Sequence, residues 1–283
     1  MSLLEKLRNL VEEPPPAFAF ELGPGGIAHW QAGTTSFEAV PGLDAQVDSD
    51  GLAEMLGRIT PIASNNKKRA AAVILPDRSA RITLMDFDQF PRKAEEQVAL
   101  IRFRLKRTVP FDVDSAILRY QVKPLSGNKV ELTIAAIAAE TLAPYEAAFR
   151  RAGFHPGFIT IAGLSAANLA EANTLALRLN GLTLTLSHFE NMNLRLFRCL
   201  ELQEGTMEEI LNVLDPTLAY LEDERRIQPA RVELCGLGEM AAGLEEHLLA
   251  QWNLPARPLR SRLGAVDANN AGLYGYLEGM GVN

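Results

Sequence analysis

"FAFELGPGGIAHW" (residues 18–30) is an apolar run that breaks on Gly-Pro-Gly-Gly and then resumes. Short apolar runs on either side of such a break suit two strands, and glycine with proline punctuates a tight reversal. A glycine-rich turn also lets backbone N–H groups approach a phosphate. The stretch therefore poses a choice between a plain hairpin and an anion cradle, and the rest of the chain supplies the context.

With 283 residues, the chain has the length of about two domains or lobes. Hydrophobic residues make up 47% and charged residues 22%, a globular balance sufficient for a core. The net charge is −7, so nothing global attracts nucleic acid or an anionic membrane. Cys199 and Cys235 sit in apolar runs without metal-ligand spacing, which fits a reducing cytoplasm. No run approaches the ~18 to 20 apolar residues of a spanning helix. At the start, Leu3, Leu4, Leu7, Leu10 and Val11 recur at helical spacing before three prolines, so residues 1–16 read as a short amphipathic helix on a stiff hinge. Packing on its own domain is preferred there over a membrane or partner contact.

A pattern occurs twice further on. Strand-like runs "AFAFEL", "GIAHWQA" and "TSFEAV" precede a helical "SDGLAEMLGRI" and a buried strand "RAAAVILP". Later "TLALRL", "LTLTLSHF" and "NLRLFRCL" precede the helical "TMEEILNVLDPTLAYLEDERRI" and the strand "RVELCGLG", with a kink or break expected near Asp215 from Pro216. Between the copies, "SARITLMDF", "PRKAEEQVALIRFRLKRTV", "SAILRYQVKP", "KVELTIAAIAA" and "TLAPYEAAFRRAG" read as strand, helix, strand, strand, helix, an inserted α+β subdomain. The expected organisation is a first lobe of residues 17–76 plus 161–173, an insert of 77–160 and a second lobe of 174–283.

A duplicated three-strand, helix, strand unit with an insert is the layout of the two-lobed α/β actin-like ATPase fold, a duplicated ribonuclease H-like βββαβα unit. The chain resembles the PilM family of type IV pilus assembly proteins, relatives of the division protein FtsA. The phrases that carry the resemblance are "ELGPGGIA" at the first phosphate loop, "VILPDRS", "RTVPFDVDSAILRYQV", "VELTIAAIAAETLAPYEAAFRRAGFHP", "RLNGLTLTL" and "LCGLGEMAAGLEEHL". They occur in family order over nearly the whole chain. The resemblance implies an FtsA-type insert and a cytoplasmic protein peripheral to the inner membrane. It also implies a groove beside the insert, near "SARITLMDF" and "ILRYQVKP", that holds the N-terminal tail of a PilN-like membrane protein and links it to the pilus motor ATPases.

Three turns of that fold hold nucleotide, and the resemblance maps them onto this sequence. On the first, the family aspartate becomes Glu21, Gly23 is kept, Pro24 removes an N–H donor, Gly25 and Gly26 follow, and the family lysine becomes Ala28. On the second, the family Asp-Ile-Gly becomes Arg178, Leu179 and Asn180, followed by Gly181. A cation there opposes Mg²⁺, since like charges ~4 Å apart cost about 4 kcal/mol at an effective dielectric near 20. An Arg178–Glu21 ion pair across the cleft is expected in its place. On the third, Gly236 and Gly238 remain but the middle glycine becomes Leu237, whose side chain has the size to fill nucleotide space; the preferred reading of these glycines is a plain tight strand-to-helix turn. The expectation is a degenerate site without catalysis, metal or bound ATP.

Elsewhere, the four histidines His29, His155, His188 and His247 have no ligand spacing. The acid pairs Glu95–Glu96, Glu208–Glu209 and Glu245–Glu246 read as solvated helix faces. Arg92, Lys93, Arg102, Arg104, Lys106 and Arg107 form a basic face on the insert's first helix, either an ordinary exposed helix end or a dock for an acidic partner or lipid heads. Two competing functions stand beside the scaffold. One is an ATP-binding switch, which Gly23, Gly236 and Gly238 allow and Arg178 opposes. The other is the cytoplasmic part of a GspL-like type II secretion component, whose chain would continue into a membrane helix beyond the closing "GLYGYLEGMGVN".

Overall fold

The computed structural model describes residues 16–31, 33–40, 48–61, 69–190 and 193–282; residues 1–15 of the amphipathic segment lie outside them. Strands β1 (Phe18–Gly23), β2 (Gly26–Gln31) and β3 (Thr34–Ala39) lead through helix α1 (Ser49–Ile59) to β4 (Arg69–Leu75). The insert follows as β5 (Arg81–Phe87), α2 (Ala94–Leu105), β6 (Ile117–Pro124) and β7 (Val130–Ile137). Then come α3 (Ala139–Arg151), β8 (Phe154–Ile161) and α4 (Ala162–Ala166). The second lobe holds β9 (Thr174–Asn180), β10 (Thr183–Glu190), β11 (Asn193–Glu201), α5 (Met207–Asp223), β12 (Arg231–Cys235), α6 (Met240–Trp252) and β13 (Ala256–Pro258), and α7 (Ala271–Gly279) closes the described chain.

The duplication is visible in the strand order. One sheet runs β3-β2-β1-β4-β8 and the other β11-β10-β9-β12-β13. In each, the first strand pairs antiparallel with the second and parallel with the fourth. The continuous apolar run of β4 is what a strand between two parallel neighbours, covered on both faces, requires; its residues Ala71 to Leu75 are all buried. Helix α5 starts on a capping box, in which Thr206 accepts from the Glu209 N–H while Glu209 reaches back to the Thr206 N–H.

Several expectations change. The insert is smaller than residues 77–160, because only β5, β7 and β6 form its separate sheet. Helix α3 and strand β8 return to the first lobe: β8 pairs parallel with β4, and Phe149 and Phe154 join the core that holds Phe20 and Leu52. Sequence periodicity reveals an element but not which sheet it extends. The closing helix likewise leaves the second lobe: Leu273, Tyr274, Tyr276 and Leu277 pack with Ala19, Ala28 and Ile74 of the first. The basic helix spans Ala94–Leu105, shorter than the run of residues 91–109. Helix α5 continues unbroken through Pro216. Its face of Ile210, Val213, Leu214, Leu218 and Leu221 is core, and that burial outweighs one lost backbone hydrogen bond.

The insert is also tied to the second lobe. Glu131 on β7 is buried and accepts from Arg195 of β11 at 2.8 Å with both carboxylate oxygens, from Arg225 at 3.3 Å and from Lys123 at 3.5 Å.

Small residues let α7 lie close against α4. A Cβ on Gly275 would stand 2.0 Å from the Ser165 carbonyl oxygen, and one on Gly272 would stand 2.8 Å from Ala162 Cα. Backbone cannot yield as a side-chain tip can, so Gly275→Ala is expected to destabilise the protein by about 2–3 kcal/mol in urea unfolding, whereas Gly57→Ala, whose Cβ would meet nothing within 4 Å, should be neutral or stabilising.

Candidate functional site

In open α/β sheets ligands gather at the carboxyl ends of the parallel strands. Here β1, β4, β9 and β12 bring Glu21, Asp77, Arg178 and Gly236 toward one seam between the lobes. The seam is dry: Glu21 is 0%, Asp77 2%, Thr185 2% and Arg178 5% exposed.

The Arg178 guanidinium sits at its centre. It donates to Glu21 Oε1 at 2.8 Å, to Asp77 Oδ2 at 3.1 Å and to the Ala268 carbonyl at 2.5 Å. The expected ion pair with Glu21 is therefore present, and a second carboxylate shares the cation. Glu21 Oε2 accepts the Leu273 N–H at 2.7 Å, so it satisfies one of the free donors in the first turn of α7. Asp77 Oδ1 accepts the Gly163 N–H at 2.5 Å and its Oδ2 accepts the Thr185 hydroxyl at 2.7 Å. Sequence reading missed Asp77, Thr185 and Leu273. Asp77 had a signal, since it follows the buried run "VILP" and so stands at the same edge as Glu21. Thr185 and the Leu273 N–H had none.

One cation faces two buried carboxylates, so the cluster carries a surplus negative charge unless one acid holds a proton. Burial pushes the Glu21 carboxyl up from its ordinary 4.5 to about 7, against the pull of Arg178 and the Leu273 N–H. Burial alone would lower the Arg178 guanidinium; Glu21 and Asp77 more than reverse this and raise it. Arg178 thus stays charged, and Glu21 takes up a proton more readily than an exposed carboxylate does.

The glycines of the three turns serve different ends. Gly23 pairs with Gly26 across the hairpin, leaving Pro24 and Gly25 as a two-residue reversal. A Cβ on Gly26 would lie 2.1 Å from the Glu38 carbonyl oxygen, and one on Gly236 would lie 1.9 Å from that of Leu179, so both glycines are needed for close backbone contact. The first two turns meet: a Cβ on Gly181 would be 3.0 Å from Pro24 Cγ, and one on Gly23 would be 3.0 Å from Asn180 Nδ2. A Cβ on Gly25 would be 2.8 Å from Asn269 Oδ1. Gly238 alone of these faces open space. Leu237 does not fill a nucleotide space; it is 4% exposed and belongs to the second-lobe core, because its strand-to-helix turn points it under α6.

A guanidinium between Glu21 and Asp77 repels a divalent cation. Among the described residues, no group of three or more His, Cys, Asp or Glu side chains is placed to hold a metal. Burial pushes the Cys199 and Cys235 thiols up to about 12, which keeps them unreactive.

The basic face disperses on folding. Arg102 donates to the Val113 carbonyl and, at 3.1 Å, to that of Ala116. Arg104 lies over the Phe87 ring at 5.3 Å, Lys106 pairs with Asp114 at 2.7 Å and Lys93 with Glu96 at 3.3 Å. Arg92 and Arg107 are exposed. Most of these cations therefore hold the insert together.

No family model matches the chain, and no curated protein matches it. Solved structures do. A PilM–PilN type IV pilus biogenesis complex contains a chain 18% identical, aligned over 96% of this chain and 100% of that one with a TM-score of 0.69. The cytoplasmic domain of EpsL, an inner-membrane component of the type II secretion system of Vibrio cholerae, is 11% identical over 92% and 94% with a TM-score of 0.54. A Bacteroides thetaiotaomicron protein with an actin-like ATPase fold and unknown function is 13% identical over 90% and 93% with a TM-score of 0.50. The fold is that of the actin-like ATPases, and its likeness to the PilM–PilN complex extends over almost the whole chain.

Two outcomes test the buried cluster. Arg178→Leu leaves two carboxylates without a cation and is expected to cost on the order of 3–5 kcal/mol in urea unfolding. Because the Glu21 carboxyl is raised in the folded state, the stability it contributes is full below pH 4.5 and is lost as pH rises through about 7. Stability of the wild-type protein minus that of Glu21→Gln should therefore fall across this window; a difference that stays flat from pH 4.5 to 7.5 would contradict the assignment.

Proposed function

We propose that this chain is a cytoplasmic actin-like scaffold of a type IV pilus machine, which holds the N-terminal tail of a PilN-like inner-membrane protein and performs no ATP hydrolysis of its own. The observation that carries the reading is a groove of about 790 Å³ between the insert and the first lobe. Its walls include Ile82, Ile117, Ala135, Ile137, Phe158 and Leu164, and Ile117 and Phe158 expose 39% and 45% of their surface.

Both flanks of the groove are sheet edges. β8 is outermost in the first-lobe sheet and β6 is outermost in the insert. An extended tail laid here gains main-chain pairing from an edge and apolar contact from the walls, the two ingredients of strand-addition binding. Ala80 and Ile82 of "SARITLMDF" and Ile117 and Arg119 of "ILRYQVKP" line this groove, and the resemblance implies tail binding in the same region, which supports the reading. Attachment to the membrane would then run through the partner. By holding that tail the scaffold would link the pilus motor ATPases to the periplasmic complex. The buried Arg178 cluster supports the absence of catalysis, since Mg²⁺ would have to displace a guanidinium held by three acceptors. The likeness to the EpsL cytoplasmic domain favours, as a second reading, the same scaffold role in a type II secretion system.

A synthetic peptide of a PilN-like cytoplasmic tail, titrated into the protein by calorimetry, is expected to bind saturably. Ile117→Asp and Phe158→Asp should weaken it tenfold or more while leaving the unfolding temperature within a degree or two. Failure of the wild type to bind any such tail would remove the reading. The purified protein is also expected to release no phosphate from ATP with Mg²⁺ present; turnover that is lost on Gly238→Trp would restore the switch.

A further inference from the structure

A second cavity, of about 410 Å³, lies where the first lobe, the insert and the second lobe meet. It adjoins the apolar groove, with which it shares Ala80 and Ile82, and none of Glu21, Asp77 or Arg178 lines it. Three arginines, Arg78, Arg81 and Arg198, line it, and no aspartate or glutamate does. In a protein of net charge −7 this is a local reversal of sign. Two of the cations are engaged: Arg78 with Glu201 at 2.5 Å and Arg198 with the Thr217 hydroxyl at 2.8 Å. Arg81 is exposed, and among the described residues no carboxylate pairs with it.

The remaining walls decide the class of ligand. Phe111 of the insert and Phe197 of β11 contribute aromatic surface, and β11 is the outer strand of its sheet, so the cavity joins guanidinium groups to phenyl rings and a free strand edge. Guanidinium matches phosphate with paired N–H donors, and the rings suit a flat apolar body. The volume falls within the range of small-ligand pockets. We infer that this junction binds a small organic phosphate with a planar body, of the size and chemistry of a nucleoside monophosphate, with Arg81 as its principal phosphate contact. A ligand seated there touches all three parts of the molecule and braces them together.

The test is calorimetric titration of the full chain with AMP, GMP and inorganic phosphate, without Mg²⁺. AMP or GMP is expected to bind saturably with one site per chain, and inorganic phosphate at least tenfold more weakly. Arg81→Glu should weaken nucleotide binding tenfold or more, whereas Lys93→Glu, the same change of charge on the far-exposed end of α2, should leave it unchanged. No saturable binding of either nucleotide overturns the inference, as does wild-type affinity in Arg81→Glu or an equal loss in Lys93→Glu. Equal affinity for inorganic phosphate overturns the planar body. Thermal unfolding of each variant shows that it is folded, and tail binding to the adjoining apolar groove is measured on the same samples, so that a loss of nucleotide binding with tail binding kept is assigned to the Arg81 cavity alone.

Discussion

One buried cation organises the seam of this molecule. Arg178 rises from β9 of the second lobe, and its guanidinium reaches Glu21 and Asp77 of the first lobe and the Ala268 carbonyl of the segment before the closing helix. Each carboxylate in turn fixes a backbone N–H, Glu21 that of Leu273 and Asp77 that of Gly163. A charge taken out of water must be matched or it unfolds what surrounds it. The two sheets, α4 and α7 are thus held by one buried set of polar groups, in which both terminal nitrogens of the guanidinium find acceptors and Nε does not.

Lobes that are pinned at the strand ends and clamped again at Glu131 present their insert in a fixed position. A fixed insert makes a fixed groove, with the edges of β6 and β8 as its flanks. Pre-organised edges would spare an incoming segment the cost of ordering its receptor, which is what the proposed function asks of the groove. The Arg81 cavity lies on the same three-part junction, so a ligand there would act on the rigidity that the groove depends on.

Much of the fold was legible in the sequence because the signals were local. Apolar runs bounded by glycine, proline and asparagine gave the strands from Phe18 to Glu201, and their order exposed the duplication. The Arg178–Glu21 pair was also legible, since family position put both side chains at the ends of equivalent strands. Misreadings arose where one local signal met a longer-range one. Pro216 argues for a break, yet the buried face of α5 carries the helix through. Leu237 replaces a glycine in a turn, yet the core claims its side chain. Helix α3 and strand β8 follow the insert in sequence but extend the sheet of β4.

The sequence by itself determined the periodicities, the turns and the charge types at each strand end, because these depend on neighbours within a few residues. The duplication follows from them; that the body is actin-like, and that a cation faces Glu21, was what the family resemblance implied. Only the tertiary structure decided that Asp77 and Thr185 join that cation, that α7 crosses to the first lobe through Gly272 and Gly275, and that β6 and β8 flank one groove. Those are contacts between residues far apart in the chain, and which of them forms is settled by the packing of whole sheets and not by any residue's own preference.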